Sequence, residues 1–252
     1  MPEERHPDAR RKRRLGILGG MGPEATVLMM SRIVQRTAAS DDCDHIPMLV
    51  DCNTQVPSRI DAIVKGVGPD PGAVLVSMAQ RLEAAGVDGL VMPCNTAHLY
   101  ADQIAGAVAI PFLDMVMLSA EKLAANAGVG GRVGVLASPA VVQTGLYDRA
   151  LRRCGLAAVY PPDGDAMLPA IRAVKAGSAG AHEHAAVQSA SEALMAAGAG
   201  VIAVACTELS VLRSAIIADV PVVDALDVLV DAAIGFATQP AGMAAPGAAL
   251  PA

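Results

Sequence analysis

Val91-Met92-Pro93-Cys94-Asn95-Thr96-Ala97-His98 closes a short apolar run, Val87 to Met92, and opens a segment of helical pattern from Ala97. Read as strand, turn and helix, it puts a thiol where a strand ends and a helix begins. There the unpaired N–H groups and the helix dipole favour thiolate and lower the cysteine pKa. A lone cysteine at a turn is more readily a small buried residue. This one has a counterpart: Val201 to Ala205 is a second apolar run, and it ends in Cys206-Thr207-Glu208-Leu209.

The echo extends further. Arg14-Leu-Gly-Ile-Leu recurs as Arg132-Val-Gly-Val-Leu, and Ile110-Pro-Phe-Leu-Asp114 recurs as Val220-Pro-Val-Val-Asp224. Three landmarks in one order indicate a duplicated set of strand–helix units, with a period too long for a solenoid. The fold expected is α/β: two domains related by a pseudo-twofold, each a parallel sheet flanked by helices, with a site in the cleft between them. The predicted division is 15–115 for the first domain, with a returning helix 224–237, and 116–223 for the second. Residues 1–14 (charged) and 238–252 (Ala, Pro and Gly) read as disordered tails.

The predicted strands are Leu15–Leu18, Ile46–Asp51, the run ending at Met92 and Ile110–Asp114, then their echoes. Helices are expected over 23–39, 69–86, 97–108, 141–154, 167–175, 183–197 and 224–236. Pro23 and Glu24 suit a helix start, and the glycines Gly19, Gly20 and Gly22 let backbone N–H groups approach an anion.

Composition excludes several classes. Aromatic residues are 2% of the 252-residue chain and the net charge is −6, which leaves little to stack on bases and repels phosphate backbones, so no nucleic-acid partner is expected. The apolar runs fall well short of the roughly 20 residues of a membrane helix. Five cysteines, an odd number without a C-x-x-C pair, and no recognisable secretory leader read as thiols in a reduced cytoplasm. Cys43, His45 and Cys52 lack a fourth ligand and zinc-like spacing, so no metal is expected. A rival reading comes from Gly20-x-Gly22-x-x-Ala25, which matches a dinucleotide fingerprint, with Asp51 at the end of the next strand; it leaves both cysteine turns unused.

Ligands of such sheets sit beyond the carboxyl ends of strands. The Gly19–Gly22 loop, Arg59, Cys94, Ser138, Lys175 and Cys206 all follow predicted strands. Two thiols facing across a cleft suit one chemistry: one takes a proton from a tetrahedral carbon while the other returns one to the opposite face, inverting the centre without a cofactor. Arg59, a planar fork for a carboxylate unless it is a plain surface residue, and Lys175 could steady the carbanion-like transition state.

The motifs GGMGPEAT (19–26), NTQVPSR (53–59), GPDP (68–71), PCNTAH (93–98), TGLY (144–147), VKAG (174–177) and CTEL (206–209) together resemble the cofactor-independent aspartate/glutamate racemases. The resemblance implies two pseudo-symmetric α/β domains, with the last helix returning to the first. It implies Cys94 and Cys206 as the acid/base pair and Arg59 and Lys175 as substrate-anchoring cations. Asn95, Thr96, Thr207 and the Met21–Gly22 backbone would hold the α-carboxylate, and relatives commonly pair as homodimers. Glu208 stands where glutamate racemases tend to have His, and the opening turn is GGMGP rather than Ser-Gly; both resemble the aspartate branch. Ser138 can still donate a hydrogen bond, but Ser138-Pro139-Ala140 departs from the hydroxyl-richer stretch of relatives. The substrate that the resemblance implies is an amino acid, aspartate ahead of glutamate, with the Ser138-Pro139-Ala140 departure counting against aspartate. A hydantoin racemase, another isomerase of a small acid, an NAD-dependent enzyme or a two-lobed binding protein are the alternatives. His98, one turn past Cys94, reads as acting through the thiol, and Cys43, Cys52 and Cys154 as bystanders.

Overall fold

A computed structural model describes residues 12–128 and 130–239. The tails expected over 1–14 and 238–252 fall mostly outside these. Their inner ends are part of the fold: the Arg13 backbone N–H donates to the Ala237 carbonyl at 2.9 Å, and that of Arg14 donates to the Asp88 carboxylate at 2.6 Å.

The first sheet comprises β1 (Leu15–Gly19), β2 (Met48–Cys52) and β3 (Gly89–Val91), in the order β2-β1-β3. The second comprises β4 (Arg132–Ala137), β5 (Ala157–Val159), β6 (Val201–Ala205) and β7 (Val222–Asp224), in the order β5-β4-β6-β7. Every pairing is parallel. The central strands β1 and β6 are buried along their whole length, which is why they read as unbroken apolar runs: parallel sheets are covered on both faces.

The fourth strand expected at Ile110–Asp114 is reduced to a single parallel bridge, Leu90 to Phe112. Its counterpart β7 pairs over three residues with β6. The Leu90 N–H donates to the Pro111 carbonyl and the Leu113 N–H to the Leu90 carbonyl, but the next N–H facing the same way, that of Met115, goes to the His98 ring instead. With that bridge counted, both halves share one strand order, the structural form of the duplication.

Helices α1 (Pro23–Arg36), α2 (Arg59–Ile63), α3 (Gly72–Ala84) and α4 (Ala101–Gly106) belong to the first half. The second carries α6 (Pro139–Thr144), α7 (Leu146–Arg153), α8 (Leu168–Lys175), α9 (Ala181–Ala196) and α10 (Thr207–Val211), with α5 (Met115–Ala127) leading into it and α11 (Ala225–Thr238) last. The single helix expected over 141–154 is split at Gly145, whose φ of +61° is left-handed. The helix expected from Ala97 begins as a 3₁₀ turn, Thr96–Tyr100, before α4.

Two apolar clusters sandwich each sheet. One face of the first sheet packs on α1 and α11, the other on α3 and α4. Phe236 of α11 lies against Gly89, where a Cβ would come within 2.6 Å of its ring, and the Arg13 guanidinium sits 4.6 Å from the ring centroid. Burying such a ring contributes about 1.5–3 kcal/mol. Helix α5 serves both halves: Met115 and Leu118 enter the first core, while Val116, Ala120 and Leu123 enter the second. Among the described residues no helix is long and apolar enough to cross a membrane.

Candidate active site

The carboxyl ends of β1, β3, β4 and β6 face one cavity of about 370 Å³, near the lower end of the range for small-molecule sites. Met21, Gly22 and Arg59 line it from the first half with Cys94 and Thr96; Ser138, Lys175, Cys206 and Glu208 line it from the second.

The turn after β1 depends on Gly20. Its φ is +90°, and a Cβ there would lie 2.4–2.7 Å from the Asn53 backbone. Thr26 locks the turn, accepting from the Gly20 N–H at 3.0 Å and donating to the Gly22 carbonyl at 3.0 Å. A Gly20→Ala chain is expected to lose about 1–2 kcal/mol from the left-handed backbone alone and more from the clash. Its thermal midpoint should fall below that of the parent, and a parent-like midpoint would mean that the turn is not under this constraint. The close approach made by this glycine is thus to Asn53. Asp51, the acidic partner in the dinucleotide reading, is held by Arg81 at 2.6 Å.

Arg59 is the first residue of α2, whose start is capped by the Ser58 hydroxyl. Its guanidinium donates to the carbonyls of Pro57 at 3.0 Å, Val56 at 3.3 Å and Met21 at 3.2 Å, and its Nε is buried without a partner. Three carbonyls aim a cation into the cavity at small cost in side-chain entropy.

Cys94 and Cys206 are 6% and 5% exposed, and both open on the cavity. The electrostatics at Cys206 depart from the expectation of a lowered thiol pKa. Burial and the Glu208 carboxylate push the Cys206 thiol well above the ordinary range, with Lys175 opposing. Its Sγ–H donates to Glu208 Oε2 at 3.1 Å. Helix α10 is only five residues long, too short for its dipole to outweigh a carboxylate in contact with the sulfur. Lys175 Nζ lies 3.3 Å from Glu208 Oε1, an ion pair without hydrogen-bond alignment.

Two residues that the resemblance assigns to the substrate turn elsewhere. Asn95 and Thr207 are not among the cavity-lining residues. Thr207 Oγ1 donates to the Pro93 carbonyl at 3.1 Å, and Asn95 Oδ1 accepts from the buried Tyr147 hydroxyl at 2.7 Å. With Thr96 and Ser138, whose hydroxyls lie 3.1 Å apart, they bind the two halves together around the cleft. Cys43 and Cys52 are exposed and Cys154 is partly so; none lines the cavity.

The sequence reading missed an apolar wall made by Val56, Ile60 and Ile171. The signal was present for one of them: Ile171 precedes Lys175 by one helical turn of α8 and shares its face. Tyr147 lay inside a quoted motif without a role, because its partner is distant in sequence.

Two parallel-sheet domains closing on a thiol-bearing cleft form the fold of the two-domain racemases. The chain belongs to the Asp/Glu/Hydantoin racemase family, whose model matches residues 18–233. It is an amino-acid racemase, an isomerase. Aspartate racemase from Picrophilus torridus is similar, with a TM-score of 0.76 and 28% identity over 89% of this chain and 94% of its own. The broad specificity amino-acid racemase RacX of Bacillus subtilis is 27% identical, covering 83% of this chain and 92% of its own. Glutamate racemase from Francisella tularensis, solved with D-glutamate, shares the fold with a TM-score of 0.61 and 16% identity over 87% of this chain and 79% of its own.

Proposed function

We propose that the chain racemises an acidic amino acid, aspartate or glutamate, without a cofactor, by a two-base mechanism in which Cys94 and Cys206 are the acid/base pair. The observation that carries this reading is that two thiols from opposite domains line one small cavity. One sulfur takes the α-proton as the Cα–H bond breaks, and the other thiol delivers its proton to the opposite face. No atom is gained or lost, and nothing is oxidised. Cys206, held as a thiol against Glu208, is poised as the donor, so Cys94 is the acceptor in the first turnover. Arg59 and Lys175 supply the positive charge that a carboxylate needs as its α-carbon becomes carbanion-like. The Thr96 and Ser138 hydroxyls border the same space.

A second reading, a broader amino-acid racemase, is favoured by the wall of Val56, Ile60 and Ile171 and by the pairing of Lys175 with Glu208, which leaves Arg59 to meet a carboxylate alone. Five free thiols suit a reducing compartment and support a cytoplasmic location. We also propose a homodimer, as is common among relatives, to be read by light scattering.

The test is chiral chromatography of L-aspartate, L-glutamate and a panel of neutral L-amino acids incubated with the purified chain in D₂O. Racemisation with deuterium at the α-carbon is expected first for the acidic pair. Conversion of neutral members at equal rates would select the broader reading. Binding without exchange or inversion for every member would overturn both.

A further inference from the structure

Behind Cys94 the backbone does something that it does not do behind Cys206. The Cys206 carbonyl accepts from the Leu209 and Ser210 N–H groups at 2.9 and 3.2 Å, as a helix start provides. The corresponding N–H of the first half, that of His98, goes instead to the Asn95 carbonyl at 3.0 Å, which makes the 3₁₀ turn. The Cys94 carbonyl is met by a side chain: His98 Nδ1 lies 2.8 Å from it. The other ring nitrogen, Nε2, accepts the Met115 N–H at 3.0 Å.

These partners settle the tautomer. A backbone N–H can only donate, so Nε2 must be the acceptor; Nδ1 then carries the proton and donates to Cys94. The ring is 3% exposed and packs 5.5 Å from Phe112. Burial lowers its pKa, with Asp114 and the Cys94 carbonyl opposing. The neutral form is the one that fits, since an imidazolium would set an N–H against the Met115 N–H.

Met115 opens α5, the helix whose residues enter both cores. Four residues after Cys206 stands Ser210, whose hydroxyl donates to Asp224 at the start of α11 at 2.7 Å. Each half thus ties the residue one turn beyond its cysteine to the helix that follows. Only the first tie runs on through a ring to the carbonyl behind the sulfur.

We propose that His98 is a positioning residue that fixes the Cys94 loop to the first turn of α5 and so sets the Cys94 sulfur on its face of the substrate. The role rests on the two-base reading and deepens it. Losing the tie slows proton transfer at Cys94 and leaves transfer at Cys206 as it was. Because racemisation has an equilibrium constant of one, kcat/KM must fall equally in both directions, so rates alone do not identify the weakened step. Isotope effects do: with each enantiomer deuterated at the α-carbon, the effect on kcat/KM grows in the direction where Cys94 takes the label. It shrinks in the direction where Cys206 does.

His98→Leu is expected to lower kcat/KM on the order of 100-fold, the size of effect of a misplacement near 1 Å, with the two isotope effects moving apart. His98→Gln, whose amide offers one donor and one acceptor, should restore kcat/KM to within about threefold. If His98→Leu is not recovered folded by circular dichroism, His98→Asn, whose shorter amide reaches only one partner, is read the same way. An active parent whose variants slow with both isotope effects unmoved, or fold but are not restored by Gln, overturns this role alone. A parent that racemises nothing overturns the two-base reading and this role together.

Discussion

Cys94→Ala and Cys206→Ala chains are each expected to racemise about 1,000-fold more slowly than the parent, in both directions, while remaining folded. Both cysteines are needed for either enantiomer, because one must accept a proton on one face while the other donates on the opposite face. The two variants should nevertheless differ. A chain keeping only Cys206 can remove a proton and return a solvent deuteron to the same face, exchanging one enantiomer without inverting it. A chain keeping only Cys94 should exchange the other. Proton NMR of each enantiomer in D₂O reads this directly. Cys43→Ser and Cys52→Ser, at exposed positions away from the cavity, should leave the rate unchanged. If either alanine variant kept most of the parent rate, or both exchanged the same enantiomer, two opposed bases could not be the mechanism.

How much of this was legible depended on whether the decisive partner lay nearby in sequence. The runs Leu15–Leu18 and Val201–Ala205 announce strands covered on both faces, and their order with the repeated Pro-x-x-Asp signature (Ile110 to Asp114 and Val220 to Asp224) is enough to derive two parallel sheets of like topology. Arg59, Cys94 and Lys175 follow strands and so arrive at the strand ends, where α/β sheets hold their ligands. The failures share one cause. Ile110–Asp114 has the composition of a strand, but its ladder stops after Leu113, where the Met115 N–H goes to the ring of His98 from the preceding turn. The pattern after Ala97 is helical, yet the His98 ring takes the bond that would start the helix. For Cys206 the dipole argument was local, whereas the orientation of Glu208 is decided with Lys175, which comes from a different helix. Asn95 and Thr207 sit beside the cysteines in sequence, while the partners of Asn95 Oδ1 and Thr207 Oγ1, Tyr147 and Pro93, come from the opposite half.

The largest stability effect is expected at Arg32, on α1. Its Nη1 lies 2.9 Å from Asp224 and 2.9 Å from Asp227, and its Nη2 donates to the Ser210 carbonyl at 3.0 Å. Asp224 is the costly member: its side chain is 1% exposed, and it caps α11 through the Leu226 N–H while accepting from the Ser210 hydroxyl. Burial raises its carboxyl pKa even though Arg32 and Ser210 oppose. A carboxyl with its folded pKa above the unfolded value holds more protons when folded, so its contribution to stability declines as pH climbs from about 3.9 through the folded value. At neutral pH Asp224 is therefore a buried charge that Arg32 keeps tolerable. Arg32→Leu should cost about 3–5 kcal/mol at pH 7, lowering the thermal midpoint by on the order of 10 °C. The loss should shrink in acid, where Asp224 protonates. Asp224→Asn in the Arg32→Leu background should recover part of it, because a neutral amide oxygen can still accept from Leu226 and Ser210. A midpoint shift below about 2 °C, or one equal at acid and neutral pH, would mean that the carboxylate is not the source of the cost. Since Ser210 lies one turn beyond Cys206, the same variant also frees the second cysteine loop from α1, so activity at permissive temperature should fall alongside stability.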